Sequence, residues 1–312
     1  WANVLLHYKR TMMNPAFIND HQQKIVQLVA SLPLPQPMKD RLLDPERLEK
    51  QKFLFLPFAL AFADCFPGLT AADHILINAS TYLGASGVYT MDGVFDLQIE
   101  GPAIQEPLIY GQLYMQESQR LLSRLFPDEG SFWVQYYQRY SDHFQELEES
   151  RQVDKELDFA HYRQLLGYKY SLLYVPVDML FYLSGEKHRA AYDKIQESLQ
   201  WFTVGYNLPN EVKGLEEDIR TGVNNYAWWR LRDELEQHDI NPADHSAEEV
   251  HKLLYATGLA EQLLVESLDA FEKALAIVAD LEVPLFRAII EARMQSNRDM
   301  KAQIQEHLAA IA

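Results

Sequence analysis

Strand signals are nearly absent from this chain, and that limits what it can fold into more than any other feature. Alternating β-branched runs are few, and no Asn-Gly or Asp-Gly pair joins two of them as a hairpin would require. Thirteen glycines in 312 residues are also few for a sheet protein. Apolar residues instead recur at three- and four-residue spacing over long stretches, the periodicity of helices with one buried face. The expected fold is all-α: a single domain over residues 1–312, with roughly ten or more helices packed on one another.

Punctuation divides the chain. Residues 53–65 read as a buried apolar helix ended by Pro67-Gly68. Thr70 followed by Asp73 resembles a capping box, and Ser246 followed by Glu249 is a clear one. Between them the pattern predicts helices over 71–97, 108–126, 131–157 and 159–183, the last kinked at Pro176. A longer one over 189–225 should bend at Gly205 and Pro209. Helices over 246–279 and from Pro284 to the last residue complete the reading. No repeat of solenoid period is visible.

Composition removes several functions. The formal charge is −17, so nucleic acid is not an expected partner, and an anionic substrate would need metal ions or a local basic cluster. Cys65 is the single cysteine, which rules out an intramolecular disulfide and a cysteine-built zinc site and fits a reducing compartment. The longest apolar run, 53–66, contains Pro57 and Asp64 and is too short to cross a bilayer, so no transmembrane segment is expected. With no leader pattern visible, the expected location is the cytoplasm. The histidines show no H-E-x-x-H spacing, and neither a G-x-S-x-G nor a P-loop is present.

Two oxygen-rich stretches stand out. Asn210, Gly214, Glu217, Asp218, Thr221 and Asn225 step by three or four along one helical face, between apolar and aromatic flanks. A polar stripe in that setting is either a solvated face or needs a bound partner, and a hard divalent cation with oxygen ligands is one. Asp92 and Asp96, in the run MDGVFD, lie at i and i+4, roughly 6 Å apart on one face. Like charges that close are tolerable in solvent or with a cation between them.

These motifs, in an all-α chain of this length, resemble the class I isoprenoid synthases, which include terpene cyclases, polyprenyl diphosphate synthases and squalene and phytoene synthases. Asp92 and Asp96 match the first aspartate-rich motif of that superfamily. The stretch from Glu217 to Asn225 is similar to the second motif of terpene cyclases, N-D-x-x-S/T-x-x-x-E, with agreement at Asp218 and Thr221. It also resembles the squalene/phytoene pattern N-x-x-x-D-x-x-E-D-x-x-x-G, agreeing at Asn210, Glu217, Asp218 and Gly222, with Gly214 in place of an aspartate. Lys169-Tyr170-Ser171 is similar to the basic element by which these enzymes sense diphosphate. The Arg-Tyr pair that bacterial terpene cyclases carry near the C-terminus is missing.

The resemblance implies a helical bundle around an apolar cavity, with Mg²⁺ as cofactor and a prenyl diphosphate as substrate. Asp92, Asp96, Glu217, Thr221 and Asn225 would be the metal ligands, with Asp218 supporting them. Asp92, Lys169 and Asp218 would be catalytic. Lys169 and Arg220 would contact the diphosphate, and Tyr89, Phe95, Tyr170, Tyr174, Phe202 and Tyr206 would line the cavity, since π faces attract carbocations. Arg287, Arg293, Arg298 and Lys301 read as a solvated face. The expected activity is that of a terpene synthase, a lyase. The alternatives are a squalene/phytoene-type enzyme coupling two prenyl diphosphates and a non-catalytic helical protein that binds a lipid or partner. The sequence fixes no oligomeric state, and a homodimer is compatible with it.

Overall fold

The computed structural model describes residues 15–51, 56–95, 99, 101–127, 130–149, 156–241 and 244–311. Among these there is no strand. The helices are α1 (Pro15–Ser31), α2 (Gln36–Leu42), α3 (Pro45–Gln51), α4 (Ala71–Phe95), α5 (Gln105–Leu122), α6 (Ser131–Glu149), α7 (Phe159–Lys169), α8 (Val175–Leu183), α9 (Arg189–Thr221), α10 (Tyr226–Gln237), α11 (Ala247–Ala256), α12 (Leu259–Ile277) and α13 (Pro284–Ile311). No helix of the described residues is long and apolar enough to cross a membrane.

The boundaries follow local chemistry. Ser246 and Glu249 form the reciprocal capping box of α11, and the Thr70 hydroxyl accepts from the Asp73 amide while the Asp73 carboxylate accepts from the Thr70 amide. The helix expected over 131–157 is described to Glu149, with 156–158 outside any helix, the one expected over 189–225 ends at Thr221, and three others differ more. The described part of the apolar run is a 3₁₀ stretch, Phe58–Cys65, whose large side chains are buried all round. The expected 159–183 helix breaks after Lys169 into the 3₁₀ turn Ser171–Tyr174, and Pro176 sits in the first turn of α8, where its missing N–H is not needed. The expected 246–279 helix breaks at Gly258, whose φ of 77° lies in the left-handed region that glycine tolerates.

Two antiparallel pairs of long helices frame the interior. The backbones of α4 and α5 close up at two glycines. A Cβ on Gly87 would lie 2.9 Å from the Gly111 carbonyl oxygen, and one on Gly111 would lie 2.9 Å from that of Gly87. The second pair is α9 with α12. Pro209 cannot donate to the Gly205 carbonyl one turn earlier. Ser267 of α12 donates to that carbonyl at 2.5 Å instead, and Asn297 of α13 donates to the Ser267 hydroxyl at 2.6 Å. The sequence therefore carries a proline inside α9, and the tertiary structure repairs the bond it removes. Between the two pairs, α6 and α8 complete the walls of a cavity.

Candidate active site

The cavity has a volume of about 330 Å³. Its apolar part is built by Val88 of α4, Phe202 of α9, Leu172 and Leu173 of the 3₁₀ turn, and Met179 of α8. Its polar end gathers Asp92 from α4, Lys169 from the end of α7 and Asn210 from α9, three helices distant in sequence. Tyr89, Tyr170 and Tyr206 lie between, and Tyr206 meets Tyr170 edge to face at 5.9 Å.

Lys169 is surrounded by protein, yet its side chain is open to the hollow. Burial opposes its charge. Glu146 first, then Glu211, Asp218 and Asp92 outweigh that penalty and hold its pKa above the usual lysine value. The carboxylates come from α4, α6 and α9, so one cation sits among four acids. Glu211 is so deeply set that burial raises its carboxyl to about 7 in spite of Lys169 and a bond from the Tyr226 amide. Its oxygens are engaged: one accepts from the Asn207 amide at 2.5 Å, the other from the Tyr226 main-chain N–H at 2.9 Å. Asn207 in turn accepts from the Tyr170 hydroxyl at 2.7 Å. This network fixes the turn of α9 that presents Asn210.

Of the expected site residues, the cavity brings together Asp92, Lys169, Tyr89, Tyr170, Phe202 and Tyr206. Asp96 lies outside the described residues. The others stand elsewhere, each for a physical reason. Glu217 and Arg220 are solvent-exposed and face each other across 3.8 Å, while Arg220 also pairs with Glu216. Thr221 is exposed, and its hydroxyl donates back to the Glu217 carbonyl at 2.9 Å. Asn225 is buried as the N-cap of α10: its Oδ1 accepts from the Trp228 amide, and its Nδ2 donates to Asp218 at 2.7 Å. Asp218 touches the site through its field on Lys169 and does not line the cavity. Gly222, the last position of the squalene/phytoene-like pattern, is the left-handed C-cap of α9 with a φ of 68°. Phe95 lies one turn past Asp92, off the cavity. Tyr174 turns away, under the Arg139 guanidinium at 4.7 Å, beside a separate polar cleft. Arg139 there makes a two-toothed pair with the buried Asp178, at 2.9 and 3.1 Å.

Sequence reading missed Glu146, Glu211 and His143. Glu146 and His143 fall on α6 at spacings that match no motif. Glu211 is adjacent to Asn210, a signal that a search for an N-x-x-x-D spacing passes over. Arg293, read as part of a solvated face, lies 4.8 Å over the Tyr206 ring.

No cluster of three or more acidic, histidine or cysteine side chains among the described residues forms a metal cage. The donors that do reach the cavity fit a different mode of binding. Magnesium keeps several waters and commonly takes one or two protein oxygens plus substrate phosphates. Asp92 and Asn210 offer such oxygens on the cavity wall, in the field of the acids that surround Lys169.

No protein-family model matches the chain, and no curated protein matches it in sequence. Solved structures do match in fold. A geranylgeranyl pyrophosphate synthase from Lactobacillus brevis superposes with a TM-score of 0.69 at 14% identity, over 92% of this chain and 95% of that one. An octaprenyl pyrophosphate synthase from Helicobacter pylori gives 0.65 at 14% identity, over 91% and 99%. A polyprenyl synthase from Caulobacter crescentus, complexed with calcium and isoprenyl diphosphate, gives 0.67 at 13% identity, over 90% and 94%. These are synthases of prenyl chains, not squalene or phytoene synthases and not terpene cyclases. The chain thus has the all-α fold of the polyprenyl diphosphate synthases, which is a class I isoprenoid synthase fold.

Proposed function

We propose that this chain is a magnesium-dependent prenyltransferase that ionises an allylic prenyl diphosphate and joins the resulting cation to a second isoprenoid. The observation that carries the reading is Lys169, kept charged by surrounding acids at the junction of a polar rim and an apolar cavity. A diphosphate head with a hydrocarbon tail is complementary to that junction. The shared fold with synthases of prenyl chains supports transfer as the outcome.

Lys169 grips the diphosphate and stabilises the charge that grows on it as the C–O bond breaks. Both bonding electrons leave with the diphosphate. Asp92 and Asn210 would hold magnesium, which when bound with the diphosphate supplies Lewis acidity to the leaving group. The apolar wall excludes water from the allylic cation, and the faces of Tyr89, Tyr170, Phe202 and Tyr206 offer it π density.

One observation favours a second reading, a lyase that closes or deprotonates the cation without an acceptor. Among the described residues lining the cavity, Lys169 is the only lysine or arginine, a setting suited to one diphosphate. The two readings separate in one assay. Geranyl, farnesyl and geranylgeranyl diphosphates are incubated with Mg²⁺, with and without isopentenyl diphosphate, and the extracts weighed by mass spectrometry. Chain-extended diphosphates that appear only with isopentenyl diphosphate support transfer. Hydrocarbons or alcohols formed without it support the lyase. No diphosphate release from any substrate removes both and leaves a binding protein.

A further inference from the structure

One cavity group is explained neither by the anion end nor by the apolar wall. His143 of α6 lines the hollow, half-buried, one helical turn before Glu146. Its Nδ1 lies 3.2 Å from the main-chain carbonyl oxygen of Lys169. A carbonyl only accepts, so in that bond Nδ1 carries the proton. In the neutral ring the lone pair then falls on Nε2. Burial lowers the ring's pKa; the bond to the Lys169 carbonyl opposes that, and the Lys169 charge adds to it. The imidazole is thus neutral near neutral pH, oriented by the backbone of the residue whose ammonium marks the anion end.

We propose that His143 is the base of this site, accepting at Nε2 the proton lost when a carbocation in the cavity collapses to an alkene. The proposal rests on the prenyl diphosphate reading above and holds for transfer and elimination alike. In the step, a C–H bond next to the cationic carbon breaks, its electron pair becomes the new C=C bond, and the proton moves to Nε2. The imidazolium then releases it to the diphosphate or to water as products leave. Four other ionisable groups on the wall suit this task less well. Lys169 is held protonated, and Tyr89 and Tyr170 have pKa values raised first of all by burial. Asp92 stands at the rim, where the diphosphate and its counter-ions collect.

The test compares wild type with His143→Gln, which keeps a donor for the Lys169 carbonyl. Released diphosphate and deprotonated product are measured in the same reaction of an allylic prenyl diphosphate with Mg²⁺. The expected result is a fall of about a hundredfold in deprotonated product per diphosphate released, with alcohols taking its place. An unchanged ratio overturns the proposal and makes the released diphosphate the base. A second measurement needs no variant: ¹⁵N NMR of the wild-type protein should show His143 as the Nδ1–H tautomer, and an Nε2–H tautomer overturns the proposal. Wild type that releases no diphosphate at all fails at an earlier step, and takes the underlying reading down with it.

Discussion

Two stretches of α9, both rich in polar side chains, end in opposite circumstances. Asn210 lines the cavity, and beside it the Tyr170 hydroxyl, the Asn207 amide and the Tyr226 N–H bind Asn207 and Glu211 into one network. Glu217, Arg220 and Thr221 begin about 15 Å further along the helix. They face solvent and satisfy one another or their own backbone. Polar residues at helical spacing therefore fix a face but not its neighbour. What separates a site from a solvated stripe here is which turn of the helix another element covers.

The sharpest way to break this contrast is to remove a cation from each stretch's surroundings. Lys169→Gln should lower the rate of diphosphate release about 10²- to 10³-fold, the effect of losing one fixed stabiliser of growing negative charge. Arg220→Gln should leave that rate within about twofold, as expected of an exposed pair. Equal losses in the two variants would mean that the tail of α9 reaches the substrate after all. Stability offers the next contrast, between two glycines. A Cβ on Gly205 would sit 2.8 Å from the Phe271 ring, whereas one on Gly214 would meet only the Asp218 carboxylate, at 3.2 Å. Gly205→Ala should cost about 1–3 kcal/mol in urea unfolding. Gly214→Ala should be neutral or gain up to about 1 kcal/mol from helix propensity.

Asn225→Ala removes the N-cap of α10 and should cost about 1–2 kcal/mol in the same measurement. It should not change the magnesium concentration needed for half-maximal diphosphate release. A large shift in that requirement would restore Asn225 as a ligand. The smallest expected effect concerns Glu211. An acid whose pKa rises on folding keeps its proton where the unfolded chain has lost it, so its contribution to stability falls as pH climbs from the ordinary value of 4.5 through about 7. Glu211→Gln should therefore shrink the drop in Tm between about pH 5 and about pH 8. Glu217→Gln, at the exposed stretch, should leave that drop as it is. An identical drop in wild type and Glu211→Gln would show that Glu211 ionises as freely as a surface acid.

Much of this architecture was legible in the residues. The scarcity of strand signals, the caps at Thr70 and Ser246, and the apolar periodicity led to an all-α reading that the structure and its neighbours share. The position of Asp92 and the lysine at Lys169 could also be picked out, because a charge inside an aromatic helix has to be explained whatever the fold. The second wall could not. Glu217, Thr221 and Asn225 looked like ligands because they fit a spacing, and spacing says nothing about what lies across from a helix face. Asn225 is the clearest case: its amide closes the start of the next helix, a local demand that competes with any ligand role. The outcome of the chemistry is not written in these motifs, since transfer and cyclisation share them and differ in what else the cavity admits; the fold neighbours, synthases of prenyl chains, match the transfer alternative better than the expected terpene synthase.

The sequence by itself determined the helices and most of their ends, since hydrogen bonding, caps and glycine or proline constraints act within a few residues. Only the tertiary structure decided that Asp92, Lys169, Asn210 and His143 meet around one cavity, while the expected second motif looks outward. The reason is that burial and electric field come from neighbours distant in the chain. Lys169 owes its charge to acids on three other helices, and no window of sequence contains them.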